Sequence, residues 1–156
     1  MPEHNRLVAI IFMLVACISS AVASETVNFQ HLSLNSMFPQ ITINGLYQDE
    51  SGVLWIGTKD GVKKYNGNYI ESVNFMGINN WIQSNLVPTI CGDKKGHLYV
   101  NTDYSIIEYD LIKEESRIIF SQPNTQILPS IAFNYGTNSL WIGLLDSVYN
   151  YKEGIC

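Results

Sequence analysis

Positive charge is scarce in these 156 residues. There are 9 Lys and Arg against 14 Asp and Glu, for a formal net charge of −5. The basic side chains are scattered, so no basic stripe can follow a phosphate backbone, and the composition disfavours a nucleic-acid partner. Three cysteines are too few for a disulfide scaffold. Beyond the N-terminal segment the only histidines are His31 and His97, which fit no zinc spacing. No D-x-D-x-D-G run offers a calcium loop. G-x-S-x-G, Walker A and G-x-G-x-x-G are all missing, so no standard nucleophile elbow or phosphate cradle is present. Glu114 and Glu115 are adjacent charges in a hairpin turn, and no acid–base pair stands out. These absences lead to the expectation of a non-enzymatic protein without a cofactor. After residue 24 there is also no sustained 3.6-residue periodicity, which argues against helix.

What is present is apolar and aromatic. Hydrophobic residues make up 46% and charged residues 15%, a globular composition rather than a disordered one. Nine Tyr and three Trp suit a β-rich fold. The length allows one domain with a real core.

The first residues read as an export signal. Arg6 precedes the apolar run Leu7–Cys17, and small residues lead to Ala21-Val22-Ala23. This charged, apolar, A-x-A order is that of a secretory signal peptide over residues 1–23. Two other readings stay open: lipidation at Cys17 within Leu14-Val-Ala-Cys17, and an uncleaved anchor. All three export residues 24–156. Cys91 sits in an apolar strand context and is read as a small hydrophobe.

A repeat organises the remainder. Trp55, Tyr99 and Trp141 recur at steps of 44 and 42 residues, and Tyr65, Tyr109 and Tyr151 recur in the same register. Leu54, Leu98 and Leu140 do so too, as do Val62, Ile106 and Val148. Within one unit, Ile43–Asp49, Leu54–Thr58, Val62–Tyr65 and Tyr69–Phe75 read as short strands. Turns at Asp49–Gly52, Lys59–Gly61 and Asn66–Asn68 separate them, the second containing the hairpin dipeptide Asp60-Gly61. Four strands and three turns per repeat describe a propeller blade. The expected fold is therefore all-β, with about three four-stranded blades of an incomplete β-propeller at about 41–75, 86–120 and 128–156, following an N-terminal signal helix. The third unit reads as lacking its outer strand.

Each repeated residue has a structural task in this reading. Gly52 and Gly96 take positive φ in a tight turn, with Asn138 in that place in the third copy. Trp55, Tyr99 and Trp141 are rings suited to packing between blades. Gly57 and Gly143 let neighbouring sheets approach. Asp49 and Asp93 are turn formers, as are Asp60 and Asp103. Gly61, Tyr65, Tyr109 and Tyr151 complete the pattern.

The run Asp49-x-x-Gly-x-Leu-Trp-Ile-Gly-Thr-x-x-Gly-Val-x-x-Tyr65 resembles the two-component regulator propeller repeat. Phe29-Gln-His-Leu-Ser-Leu-Asn35 resembles the start of such sensors just after their signal peptide. The second copy departs at Tyr99-Val-Asn101, and the third has Tyr135 for the Asp and Leu144 for the Thr. The resemblance implies the periplasmic sensor region of a Bacteroides-type hybrid two-component protein. There, propellers precede a membrane helix, kinase, receiver and DNA-binding output, and the sensor detects glycan fragments. By that resemblance, the 156 residues are an N-terminal piece, whose partners are the missing blades or a second chain.

One stretch stands outside the repeat. Asn79-Asn-Trp-Ile-Gln-Ser-Asn85 links the first unit to the second. A pyranose presents apolar C–H groups rimmed by hydroxyls, so an aromatic face flanked by amides suits it. Trp81 with Asn80 and Gln83 supplies that set and is the candidate oligosaccharide site. A truncated lyase or glycan-degrading propeller and a protein-binding scaffold are the competing functions.

Overall fold

The computed structural model describes residues 42–75, 85–121 and 129–152, together with His4 and Asn28. The expected export segment and the candidate ligand residues Asn80, Trp81 and Gln83 lie outside the described residues. The chain divides into two units, Met1–Ser33 and Leu34–Cys156, and every described strand belongs to the second.

Among the described residues, eleven strands form three antiparallel meanders. Blade 1 holds β1 (Ile43–Gln48), β2 (Leu54–Thr58), β3 (Gly61–Tyr65) and β4 (Ile70–Val73). Blade 2 holds β5 (Ile90–Gly92), β6 (His97–Asn101), β7 (Ser105–Asp110) and β8 (Glu115–Ser121). Blade 3 has three described strands, β9 (Ser130–Asn134), β10 (Ser139–Gly143) and β11 (Val148–Tyr151). The repeat register is kept in the pairing: Trp55 lies opposite Tyr47, Tyr99 opposite Cys91 and Trp141 opposite Ala132. The fold is all-β, built of propeller blades in sequence order.

The turns explain why these strands start where they do. Asp49 Oδ1 accepts from the backbone N–H groups of Ser51 (2.9 Å) and Val53 (3.0 Å), and Asp93 Oδ1 accepts from those of Lys95 (2.7 Å) and His97 (3.0 Å). A carboxylate of this kind closes the chain on itself and launches the next strand. In blade 3, Asn134 takes over, accepting from Gly136 (2.9 Å) and Thr137 (3.2 Å). The last turn position has φ +85° at Gly52, +103° at Gly96 and +49° at Asn138. Glycine and asparagine tolerate that left-handed region with least strain.

Alternation along the second strand of each blade points its side chains to opposite faces, and in blade 2 both faces meet a described neighbour. On β6, Leu98 and Val100 join Trp55, Val62, Phe75, Val87, Ile90, Ile107 and Tyr109 in the core between blades 1 and 2. Tyr99 points the other way, joining Ile106, Ile131, Leu140 and Ile142 between blades 2 and 3. Period-2 patterning therefore buries both faces of blade 2, which is why β7 is buried along nearly its whole length, Ser105 and Glu108 included.

Candidate functional site

In a meander the turns alternate between two ends of the blade. One end carries the β2–β3, β6–β7 and β10–β11 turns and receives the inter-blade segments. The other carries the β1–β2, β3–β4, β5–β6, β7–β8 and β9–β10 turns. Both ends are ordered by the repeated residues.

The rings of the repeat work in pairs across blades. Trp55 meets Tyr109 of blade 2 edge-on, with ring centres 6.0 Å apart, and Phe75 meets the same Tyr109 at 5.5 Å. Such pairs add about 0.5–1.5 kcal/mol to the burial of the rings themselves. The Trp55 Nε1–H is not left orphaned, since it donates to Asp49 Oδ2 at 2.8 Å. Burial pulls the Asp49 carboxyl upward, but the hydrogen bonds from Ser51, Trp55 and Val53 outweigh it and hold the group below the usual carboxylate range. Tyr99 stacks on Phe133 of blade 3 at 5.7 Å. Trp141 occupies the same repeat position but is 42% exposed, against 5% for Trp55 and 4% for Tyr99. Among the described residues no sheet lies against that face of blade 3.

Tyr109 and Tyr151 both reach back to the preceding blade, while Tyr65 donates to Gly67 O of its own turn at 2.7 Å. Tyr151 joins a polar clasp: its hydroxyl accepts from Arg117 Nη2 (2.9 Å) and donates to Glu108 Oε2 (3.2 Å). Arg117 Nη2 also lies 2.7 Å from Glu108 Oε1. The cross-strand pair at the matching place in blade 1 has the opposite polarity, Lys64 Nζ to Glu71 Oε1 at 2.7 Å. That hydrogen bond to Glu71 raises the Lys64 pKa. Gly57 faces the entering inter-blade strand, where a Cβ would come within 2.9 Å of Val87 Cγ1. At the equivalent positions stand Asn101 and Gly143.

The end predicted to hold the ligand is closely hydrogen-bonded where it is described. Gly61 N–H donates to Asn85 O at 2.7 Å and Val87 N–H to Thr58 O at 2.9 Å, so the chain leaving the Trp81 loop is tied to the β2–β3 turn. Thr58 Oγ1 closes that turn, accepting from Asp60 N–H (2.9 Å) and donating to Gly61 O (2.7 Å). Thr102 does the same in blade 2, donating to Ser105 O at 3.0 Å. The Asn101 amide donates to Pro129 O of the next inter-blade segment. Among the described residues, Asn101 Oδ1 and Asp103 Oδ1 at this end are buried and find no hydrogen-bond partner. Most buried polar atoms do find one, so these two acceptors are unusual.

A cleft of about 550 Å³ opens at the opposite end, between blades 1 and 2. Sequence reasoning did not find it. Trp55 and Tyr109 form its floor, and the turn residues Glu50, Tyr69, Lys94, Lys95, Ile112 and Glu114 are among its walls. Tyr69 and Ile112 are 51% and 83% exposed. Their signal in the sequence was faint: they are exposed apolar residues at turn positions that the repeat does not share. Burial pushes the Cys91 thiol up to about 12, so it stays a neutral packing group rather than a nucleophile. Among the described residues no cluster of His, Cys, Asp and Glu is arranged to hold a metal, and no helix is long and apolar enough to cross a membrane.

Comparison with known proteins gives three findings. Residues 37–60 match the two component regulator propeller model. No curated protein matches the sequence. Among solved structures, the extracellular domain of the hybrid two component system BT4673 from Bacteroides thetaiotaomicron superposes with a TM-score of 0.58 at 16% identity, over 71% of this chain and 15% of that one. The extracellular domain of BT3049 from the same organism gives 0.51 at 16% identity, over 64% of this chain and 15% of that one. An auxiliary nutrient binding protein of that organism gives 0.52 at 11% identity, over 71% and 29%. The chain thus spans about a sixth of the length of the sensor domains it resembles. At these identities the likeness establishes the fold alone. The chain therefore carries a two component regulator propeller repeat at residues 37–60, opening a series of propeller blades whose fold is shared with the extracellular domains of Bacteroides hybrid two-component systems.

Proposed function

We propose that this chain is part of an exported, non-enzymatic, ligand-sensing β-propeller. Its first 23 residues act as the signal peptide, residues 24–156 form the propeller portion, and the periplasm is its compartment. The ligand is an oligosaccharide, held at the end of the blades where the inter-blade loop carries Asn80, Trp81 and Gln83. The observation that carries the reading is the repeat match at 37–60 within a fold shared with extracellular sensor domains and a nutrient-binding protein. The hydrogen bonds that tie Asn85 and Val87 to the β2–β3 turn support it, because a recognition loop works best when fixed to rigid strands. The unpartnered acceptors Asn101 Oδ1 and Asp103 Oδ1 at the same end suit hydroxyl donors.

The test is titration calorimetry of the protein against a panel of oligosaccharides. Truncating a central aromatic contact costs about 2 kcal/mol, so Trp81→Ala is expected to weaken binding about 30-fold with an unchanged melting temperature. Unchanged affinity would remove Trp81 from the site, and turnover of a bound glycan would replace the sensor reading with an enzyme.

A further inference from the structure

We propose that the cleft between blades 1 and 2, at the end opposite the Trp81 loop, is a second carbohydrate site that takes a short uncharged saccharide. The inference rests on the reading that this protein recognises glycans, but its geometry is separate and lies wholly within described residues. The volume of about 550 Å³ falls among small-molecule sites, which run about 300–1,000 Å³.

Charge chemistry narrows the occupant. Three lysines border the cleft, and each is already engaged. Lys64 pairs with Glu71 at 2.7 Å, Lys95 donates to Asn138 Oδ1 at 2.7 Å, and the Lys94 ammonium sits 4.9 Å from the centre of the Tyr135 ring. Asp49 is saturated by Ser51, Val53 and Trp55. The cations offer little to an anion, and Glu50 and Glu114 on the two walls would repel one. A cationic ligand would meet the lysines. A neutral molecule with hydroxyls meets neither objection and can donate to the Glu50 and Glu114 carboxylates on the walls.

The apolar surface points the same way. Trp55 and Tyr109 are buried at 5% and 8% exposure and serve as floor, so neither ring face is free for stacking. Tyr69 is the half-exposed ring on the rim, with the Ile112 side chain exposed on the other blade. Tyr69 has no aromatic counterpart in blade 2, where Lys113 stands at that place, so it is not a scaffold residue. An exposed ring and an exposed aliphatic side chain lining one cleft, edged by carboxylates and amines, match the C–H face and hydroxyl rim of a pyranose. A hollow of about 250 Å³ over blade 2, bordered by His97, Glu108, Asp110 and Arg117, has no aromatic wall.

The experiment is saturation-transfer NMR on the purified chain with neutral disaccharides (cellobiose, maltose, lactose) and, beside them, glucuronate and a sulfated disaccharide. At least one neutral disaccharide should bind. Tyr69→Ala should weaken that binding about tenfold, Tyr69→Phe should keep it, and the charged sugars should bind less well. Trp81→Ala, run in parallel, separates the two sites. Binding lost in Trp81→Ala but unchanged in Tyr69→Ala refutes the cleft and leaves the loop reading standing. Binding lost only in Tyr69→Ala establishes the cleft and refutes the loop. The cleft proposal is also overturned if no neutral sugar binds or if a charged one is preferred. Circular dichroism melts check that Tyr69→Ala folds, as expected for a half-exposed ring.

Discussion

The interface between blades 1 and 2 is held mainly by apolar packing. Nine buried side chains fill it, centred on Trp55 and Tyr109. Between blades 2 and 3 the buried set falls to five, with Tyr99 in place of the tryptophan. More side-chain ties reach across the blades there: Tyr151 to Glu108 and Arg117, Asn101 to Pro129 O, Lys95 to Asn138 and Tyr135 to Gly92 O, against Asn44 to Val87 O beside the backbone bonds of Gly61 and Thr58 at the first joint. One repeat pattern therefore supports two kinds of joint. Where the ring shrinks and the close-packing glycine becomes Asn101, directional bonds fix the neighbour.

That contrast predicts graded effects. Trp55→Ala should destabilise most, by about 3–5 kcal/mol, since it empties a filled core. Tyr99→Ala should cost about 3 kcal/mol, the low end of the same range. Equal or reversed losses in chemical denaturation would break the comparison.

The polar joint gives the next size of effect. Glu108→Ala removes the acceptor shared by Arg117 and Tyr151 and should cost about 1–2 kcal/mol. In a double-mutant cycle Glu108 and Arg117 should couple by about 1 kcal/mol. Zero coupling would show that the clasp is decorative. Lys64 and Glu71, both more than one-third exposed, should couple by less than about 0.5 kcal/mol.

Asp49→Asn should cost about 1 kcal/mol at neutral pH, because Trp55 and the turn keep weaker acceptors. The folded-state pKa of Asp49 lies below its ordinary value of 3.8, so its contribution is present above that pH and is lost as pH falls through the lower folded value. The wild type should lose stability over that acid window, and Asp49→Asn should lose less. Parallel acid curves would contradict the assignment. Trp141→Ala in this chain should cost far less than Trp55→Ala, about 1 kcal/mol, because the ring is 42% exposed. A loss as large as that of Trp55→Ala would mean that Trp141 is covered in solution.

Much of this fold was legible in the sequence because its signals are local. Alternation marked the strands, Asp, Asn and Gly marked the turns, and the 42–44-residue spacing of Trp55, Tyr99 and Trp141 marked the blades. What a neighbour decides was not legible. The repeat gives Trp55 and Trp141 one identity, yet their burial differs according to what packs on them. The Glu108–Arg117–Tyr151 clasp joins residues far apart in the chain, and the cleft draws Glu50, Tyr69, Ile112 and Glu114 from different turns. No spacing rule connects such residues. Sequence reasoning looked for a ligand site at Trp81, which lies outside the described residues, and had no means of seeing the cleft.

The central claim is that repeated rings are scaffold while recognition lies in residues the repeat does not share. Calorimetric titration with a neutral oligosaccharide panel, paired with thermal melts, tests it most directly on Trp55→Ala, Trp81→Ala and Tyr69→Ala. The account predicts that Trp55→Ala lowers the melting temperature sharply, while Trp81→Ala and Tyr69→Ala lose affinity and melt like the wild type. A Trp55→Ala protein that melts normally but no longer binds would contradict it.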